Sequence, residues 1–250
     1  MNLFWKNSYS SKIKRLEHSE MYTSKLLIFF VWVGVSLFSW GSPKIVVVPG
    51  DYNIALTFDD GPDSLYTSQI LDILEQEQIK GTFFLIGKQM KRHPDITKRI
   101  HQQGHCIGNH TYNHCCVPRM SFEDILHEVT TTDHLIDSLC GPSCKFFRAP
   151  WGAISADQAG CLNDLGYTVF GWDLDSDDWN VQNNSVNSIV TRVTSRISPG
   201  KIVLFHSADY AGKDGREKTI AALPLIIHTL KQWGYRFVTL KELKPAKKSR

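Results

Sequence analysis

From Ile54 onward, short apolar runs rich in β-branched and aromatic residues alternate with longer stretches whose apolar positions recur every three or four residues. Strand-like runs cover Ile54–Phe58, Gly81–Ile86, Phe146–Arg148, Thr168–Gly171, Ile202–Phe205 and Arg236–Val238. Helix-like stretches cover Thr67–Gln78, Asp95–Gln103, Phe122–Leu139, Asp157–Leu165, Val186–Arg196 and Ile220–Trp233. Strands alternating with helices predict an α/β fold of about seven strands: a parallel sheet, open or closed, with helices outside it. In barrels of this kind catalytic groups gather at the C-terminal ends of the strands. Asp59–Asp60, Arg148, Asp175–Asp178 and His206 all stand at or just after such ends.

The pattern before Ile54 is different. Leu26–Trp40 is almost wholly apolar and follows Lys25, yet it is shorter than the roughly 20 residues that span a bilayer. It reads as the core of a secretory signal, with small residues Ser39 and Gly41 ahead of a mature start at Ser42. The stretch preceding it is long for a signal peptide, whereas a true start at Met21 would place Met-Tyr-Thr-Ser-Lys directly before the apolar run. The expected organisation is therefore a signal peptide or uncleaved membrane anchor over 1–41 and one catalytic domain over 42–250. The domain is expected outside the cytoplasm, in the periplasm, the cell wall or the medium, and touches a membrane only through that N-terminal segment if it is retained.

A chain of 250 residues that is 42% hydrophobic can bury one sizeable core. The formal charge of +3 comes from the first 41 residues, which hold five Lys/Arg against two Glu, so the remainder balances at 23 basic and 23 acidic. Nucleic acid is thereby excluded as a partner, since binding its backbone needs a clustered basic surface. The basic tail Lys244–Arg250 reads as a solvated terminus.

Chemistry concentrates in five segments. In Thr57-Phe58-Asp59-Asp60-Gly61-Pro62, adjacent carboxylates end a strand and a turn follows at once, so the two need not point to opposite faces. One can hold a metal while the other handles a proton. His110-Thr111-Tyr112-Asn113-His114 supplies two imidazoles four positions apart. Together with Asp60 they form a two-His, one-carboxylate set that leaves a position open, as in hydrolytic metal sites. Alone, Asp-Gly-Pro is ordinary turn chemistry and a His-x-x-x-His pair is weak. The remaining segments are Arg148-Ala149-Pro150-Trp151-Gly152, Asp175-Ser176-Asp177-Asp178-Trp179 and Ile202-Val203-Leu204-Phe205-His206.

These five motifs, in this order, resemble those of the polysaccharide deacetylases, the carbohydrate esterases with a NodB-homology domain. The resemblance spans roughly Asn53–Leu243. Trp151 stands where tyrosine is usual, and Cys115-Cys116 stand where proline is common. The resemblance implies a deformed (β/α) barrel of about seven parallel strands with outer helices, and metal-dependent removal of N-acetyl groups from an amino-sugar polysaccharide, peptidoglycan or chitin-like. It implies Asp60, His110 and His114 as metal ligands, Asp59 as base and His206 as acid. Arg148 would steady Asp59, and the backbone amide beside Trp151 would help bind the oxyanion. Asp178 would tune His206, with Asp175 as a rival among the four aspartates between 173 and 178. Trp179 and Leu204 resemble the residues that shape the pocket for the acetyl methyl. Two imidazoles and a carboxylate suit zinc first, with cobalt, nickel or iron(II) as alternatives.

Two other readings keep part of this picture. The same site could act on O-acetyl xylan or a small amide, or the fold could serve as a non-catalytic glycan-binding protein. Substrate choice is expected to reside in loops such as Val117–Ser121 and Ala208–Arg216. Six cysteines all lie in the presumed exported part and allow fifteen pairings, of which Cys140-Gly-Pro-Ser-Cys144 is the obvious local loop. Asn109-His110-Thr111 is formally a glycosylation sequon, which must be unused if His110 is a ligand. This favours a bacterial route of export.

Overall fold

The strand β1 (Asn53–Asp59) is buried along nearly its whole length, as expected of a central strand in a parallel sheet. In the computed structural model, which describes residues 52–209 and 215–243, β1 is flanked by β2 (Thr82–Leu85) on one side and β7 (Ile202–His206) on the other. The sheet continues through β3 (Cys106–Asn109), β4 (Phe146–Phe147) and β5 (Thr168–Val169) beyond β2, and ends at β6 (Leu174–Asp175) beyond β7. A short strand, β8 (Arg236–Phe237), pairs with the start of β1. Every pairing is parallel, and the seven-strand path curls into a half-barrel with helices around it, as the motif resemblance implied.

Those helices are α1 (Tyr66–Gln76), α2 (Gly87–Arg92), α3 (Pro94–Gln102), α4 (Phe122–Cys140), α5 (Ala156–Asp164), α6 (Val186–Thr194) and α7 (Glu217–Gln232). Side-chain caps mark several starts. Ser121 accepts from Asp124 N, and Ser155–Gln158 and Ser185–Ser188 form reciprocal capping boxes. Ahead of α1, Asp63 Oδ1 accepts from the amides of Tyr66 and Thr67.

The pleat of β1 decides which side chains reach the site. Ile54, Leu56 and Phe58 face the helices and join Phe83, Leu85, Val203, Phe205 and the inner faces of α1 and α7 in the main core. Ala55 points the other way, into the concave side, where it packs with Phe84, Ile202 and Leu240. Thr57 and Asp59 share that concave face by alternation, and so do Leu204 and His206 on β7.

Three elements were not anticipated from the sequence: α2, β3 and β6. The Cys-Ile-Gly-Asn run of β3 lacks a β-branched series, and its glycine answers to packing: a Cβ at Gly108 would sit 2.5 Å from the Phe84 ring. β6 is two residues inside an aspartate-rich run. The predicted signal or anchor over 1–41, the start at Met21, the cleavage before Ser42 and the tail Lys244–Arg250 lie outside the described residues, as does part of the loop Ala208–Arg216. Among the described residues no helix is long and apolar enough to cross a membrane. All six cysteines are free thiols. Asn109 is fully buried, its amide donating to Val129 O and Asp133 Oδ1, so the sequon is closed to a glycan in the folded protein.

Candidate active site

Strand alternation would send Asp60 back among the helices, and a left-handed backbone prevents it. Asp60 has φ 72°, a conformation that costs a non-glycine residue about 1–3 kcal/mol. The chain then turns through a cis Gly61–Pro62 bond. Asp59 and Asp60 consequently both line the cavity at the C-terminal end of the sheet.

His110 follows β3 directly and belongs to the concave face. Its Nδ1 lies 2.7 Å from the backbone oxygen of Arg148, so Nδ1–H donates there and the Nε2 lone pair is left facing Asp60 Oδ1 at 3.5 Å. The loop after it bends at two positive-φ residues, Thr111 (64°) and His114 (58°), which bring His114 Nε2 to 3.2 Å from the same oxygen. Glu128 of α4 holds this loop. Its Oε2 accepts from the amides of Tyr112 (2.8 Å) and Asn113 (2.7 Å), and its Oε1 accepts from Asn113 Nδ2.

One ligand atom each from Asp60, His110 and His114 lie within 4.8 Å of one another. A carboxylate and two imidazoles, His110 with its tautomer set for Nε2 ligation, fit a divalent metal. Burial works against ionising Asp60, but the adjoining His110 and His114 imidazoles, with the His206 charge, outweigh it and hold the carboxyl well below the usual carboxylate range. It is a ready anionic ligand.

Arg148, just past β4, is fully buried and makes three bonds: Nη1 to Thr57 Oγ1 and to Asp59 Oδ1, and Nη2 to Gly171 O, each 2.8 Å. Its guanidinium stands over the Phe84 ring, 4.1 Å from the centroid. Burial lowers the arginine's pKa and the Asp59 carboxylate opposes that, so the cation persists. Asp59 Oδ1 is thereby pinned, while Oδ2 lies on the metal-ligand side, 3.8 Å from His110 Nε2.

A second charged pair stands at the end of β7. Asp178 Oδ1 lies 2.7 Å from His206 Nδ1, and its Oδ2 accepts from His206 N and from Thr219 Oγ1, both at 2.9 Å. Burial alone would lower the His206 pKa, but Asp178, assisted by Asp60 and Asp59, raises it to about 9. Asp178 is fully buried; the cost of burying its charge is outweighed by His206, and its pKa falls. Asp175, the rival, instead accepts from Trp179 Nε1 and from the Asp177 amide. Asp178 is therefore the carboxylate on His206.

The cavity between the two pairs has a volume of about 300 Å³ and is lined by Asp59, Asp60, His110, His114, Trp151, Trp172, Asp175, Trp179, Leu204 and His206. Trp151 is 64% exposed and its ring meets His114 edge-on at 4.5 Å, while Trp179 is 48% exposed and Leu204 is buried at the floor. Trp151 is left-handed (φ 57°), and Gly152 behind it has φ 66° with no room for a Cβ, which would lie 2.6 Å from Trp172. Every site residue named from the sequence thus stands at this cavity or one bond behind it.

Sequence reasoning missed Glu128, Thr219, Arg216 and Trp172. Arg216 Nη1 bonds Asp178 O and its Nε bonds Ala208 O. Glu128 did carry a signal, being a carboxylate on the same helix face as Ile125, Val129 and Thr132, which are all buried. For the others, no local pattern distinguishes them from packing residues.

Residues 48–170 match the family model of the polysaccharide deacetylases. A peptidoglycan-N-acetylglucosamine deacetylase of Bacillus cereus is 36% identical over 216 residues, 85% of this chain and 77% of that protein. A chitooligosaccharide deacetylase of Rhizobium leguminosarum bv. trifolii is 34% identical over 199 residues, 77% of this chain and 92% of that protein. A crystal structure of a peptidoglycan N-acetylglucosamine deacetylase bound to a naphthalenyl N-oxidanyl-benzamide superposes with TM-score 0.76 at 34% identity, covering 82% of this chain and 94% of that one.

Proposed function

This chain belongs to the polysaccharide deacetylase family, and on that footing we propose that it hydrolyses the N-acetyl groups of an amino-sugar polymer, peptidoglycan or chitin-like, at the cavity between Asp59 and His206. The observation that carries the proposal is the pairing of two oppositely prepared groups across one cavity. Asp59 is a carboxylate held by a buried cation, and His206 is an imidazole held protonated by a buried anion.

Asp60, His110 and His114 would hold a divalent metal, zinc first. When bound it supplies a Lewis acid that polarises the acetyl carbonyl and lowers the pKa of water towards ~7. Asp59 receives the proton of the attacking water on Oδ2, because Arg148 occupies Oδ1 and fixes the carboxylate plane. His206 delivers a proton from Nε2 to the departing amine, since Nδ1–H is committed to Asp178. The Trp151 amide is assigned to the developing oxyanion, and Leu204 and Trp179 to the acetyl methyl. The exposed Trp151 and Trp179 rings offer apolar faces to sugar residues on either side. The apolar run Leu26–Trp40 supports export of a catalytic domain over 42–250, consistent with a cell-wall or extracellular polymer as substrate.

Acetate release from N-acetylglucosamine oligomers and from peptidoglycan, before and after chelation with zinc or cobalt add-back, tests the reading. Activity abolished by chelator and restored by metal is expected. Release from acetylated xylan alone would replace the amide with an ester, and glycan binding without turnover in the metal-loaded protein would overturn the enzyme reading.

A further inference from the structure

At the far end of β3 from His110, two cysteines distant in sequence come together. Cys106 opens β3, and Cys144 stands in the connection between α4 and β4. β3 and β4 run parallel with Asn109 opposite Phe147, so the segment just ahead of β4, with Cys144 two residues before it, approaches the start of β3. The Cys144 thiol is close enough to act on that of Cys106, and both line a cavity of about 260 Å³. Cys140 borders the same cavity, but its Sγ faces the Thr97 oxygen on α3 at 3.8 Å. The partner of Cys144 is therefore not the cysteine four residues away.

We propose that Cys106 and Cys144 form an intramolecular disulfide when the protein meets a small-molecule disulfide oxidant such as oxidised glutathione. The partly exposed Cys144 thiolate attacks the oxidant, breaking its S–S bond and releasing one small thiolate. The Cys106 sulfur, its proton lost to solvent, then attacks Cys144 sulfur in the mixed disulfide and releases the second. Two protein thiols are oxidised by two electrons, and one small disulfide is reduced to two thiols. Burial, with the neighbouring Cys144, pushes the Cys106 thiol up to about 12, so closure is the slow step and quickens as pH rises. The bridge ties the start of β3 to the end of the α4 connection, and so encloses the helix that carries Glu128. It lies away from the acetyl-binding cavity and depends on the compartment, not on the deacetylase reading.

The test uses the full chain incubated with oxidised glutathione under native conditions. Peptide mapping should find Cys106 joined to Cys144, with two fewer free thiols and a mass about 2 Da lower. The thermal midpoint should rise by roughly 5–10 °C and fall back with reductant, while acetate release per molecule stays the same. Cys140→Ala should still close the bridge, and Cys106→Ala should abolish both the bridge and the thermal response. A Cys140–Cys144 linkage, or a glutathione adduct on Cys144 that never resolves, would overturn the proposal. If Cys106→Ala does not fold, the Cys140→Ala mapping decides alone.

Discussion

Replacing Asp178 by Asn removes the charge that holds His206 protonated while nearly preserving side-chain volume. Asp178 is the largest attractive influence on that imidazole, and it opposes burial strongly enough to place the His206 pKa at about 9 against an ordinary 6.5. The difference corresponds to roughly 3 kcal/mol. At a pH of about 7.5 a group with pKa near 9 is almost fully protonated, whereas one at or below 6.5 is about 10% protonated, so the competent acid falls about tenfold. The assay is the pH profile of kcat/KM for acetate release, with both proteins carrying the same metal load. The alkaline limb should move from near 9 in the wild type to about 6.5 or lower in Asp178→Asn. Linkage gives a second readout. Because the folded pKa is raised, the stabilisation from protonated His206 is complete below about 6.5 and disappears as pH rises through about 9. The thermal midpoint of the wild type should therefore decline across that window, and that of the variant should not. A folded Asp178→Asn protein whose limb stays near 9 would refute the reasoning, because the charge would then not be what holds the proton.

Arg148→Lys keeps the charge but loses the fork that reaches Thr57, Asp59 and Gly171 together; kcat should drop at least tenfold with KM little changed, and equal kcat would remove Arg148 from the positioning of Asp59. Glu128→Gln should loosen the Tyr112–Asn113 turn and weaken metal affinity about 10–100-fold, measured by competition with a chelating dye, without altering the alkaline limb. Gly108→Ala drives a methyl against Phe84 at 2.5 Å and should cost about 1–3 kcal/mol in denaturant unfolding, with the metal ligands untouched.

Much of the site was legible because its chemistry is written in residue types that packing does not require. Asp59-Asp60 ahead of Gly61-Pro62, two histidines four apart, and a histidine closing an apolar strand are each unusual at the end of a core element. The strand-end placement of Asp59–Asp60 and His206 followed from counting periods alone. The rest was not legible for identifiable reasons. β3 is a strand by virtue of its neighbours, since Cys-Ile-Gly-Asn has little propensity of its own, and Gly108 is read correctly only once Phe84 is opposite it. β6 exists because its two residues align with Val203 and Leu204.

By itself the sequence determined the periodic alternation that makes a parallel α/β domain and the donor types available for a metal. These are local properties, set by a two-residue or 3.6-residue period and by side-chain chemistry. Only the tertiary structure decided which aspartate holds His206, which oxygen of Asp59 stays open, and which cysteine lies against Cys144. Each of those depends on the register between segments dozens of residues apart. Register is fixed by the summed packing of the sheet and its helices, and no single segment encodes it.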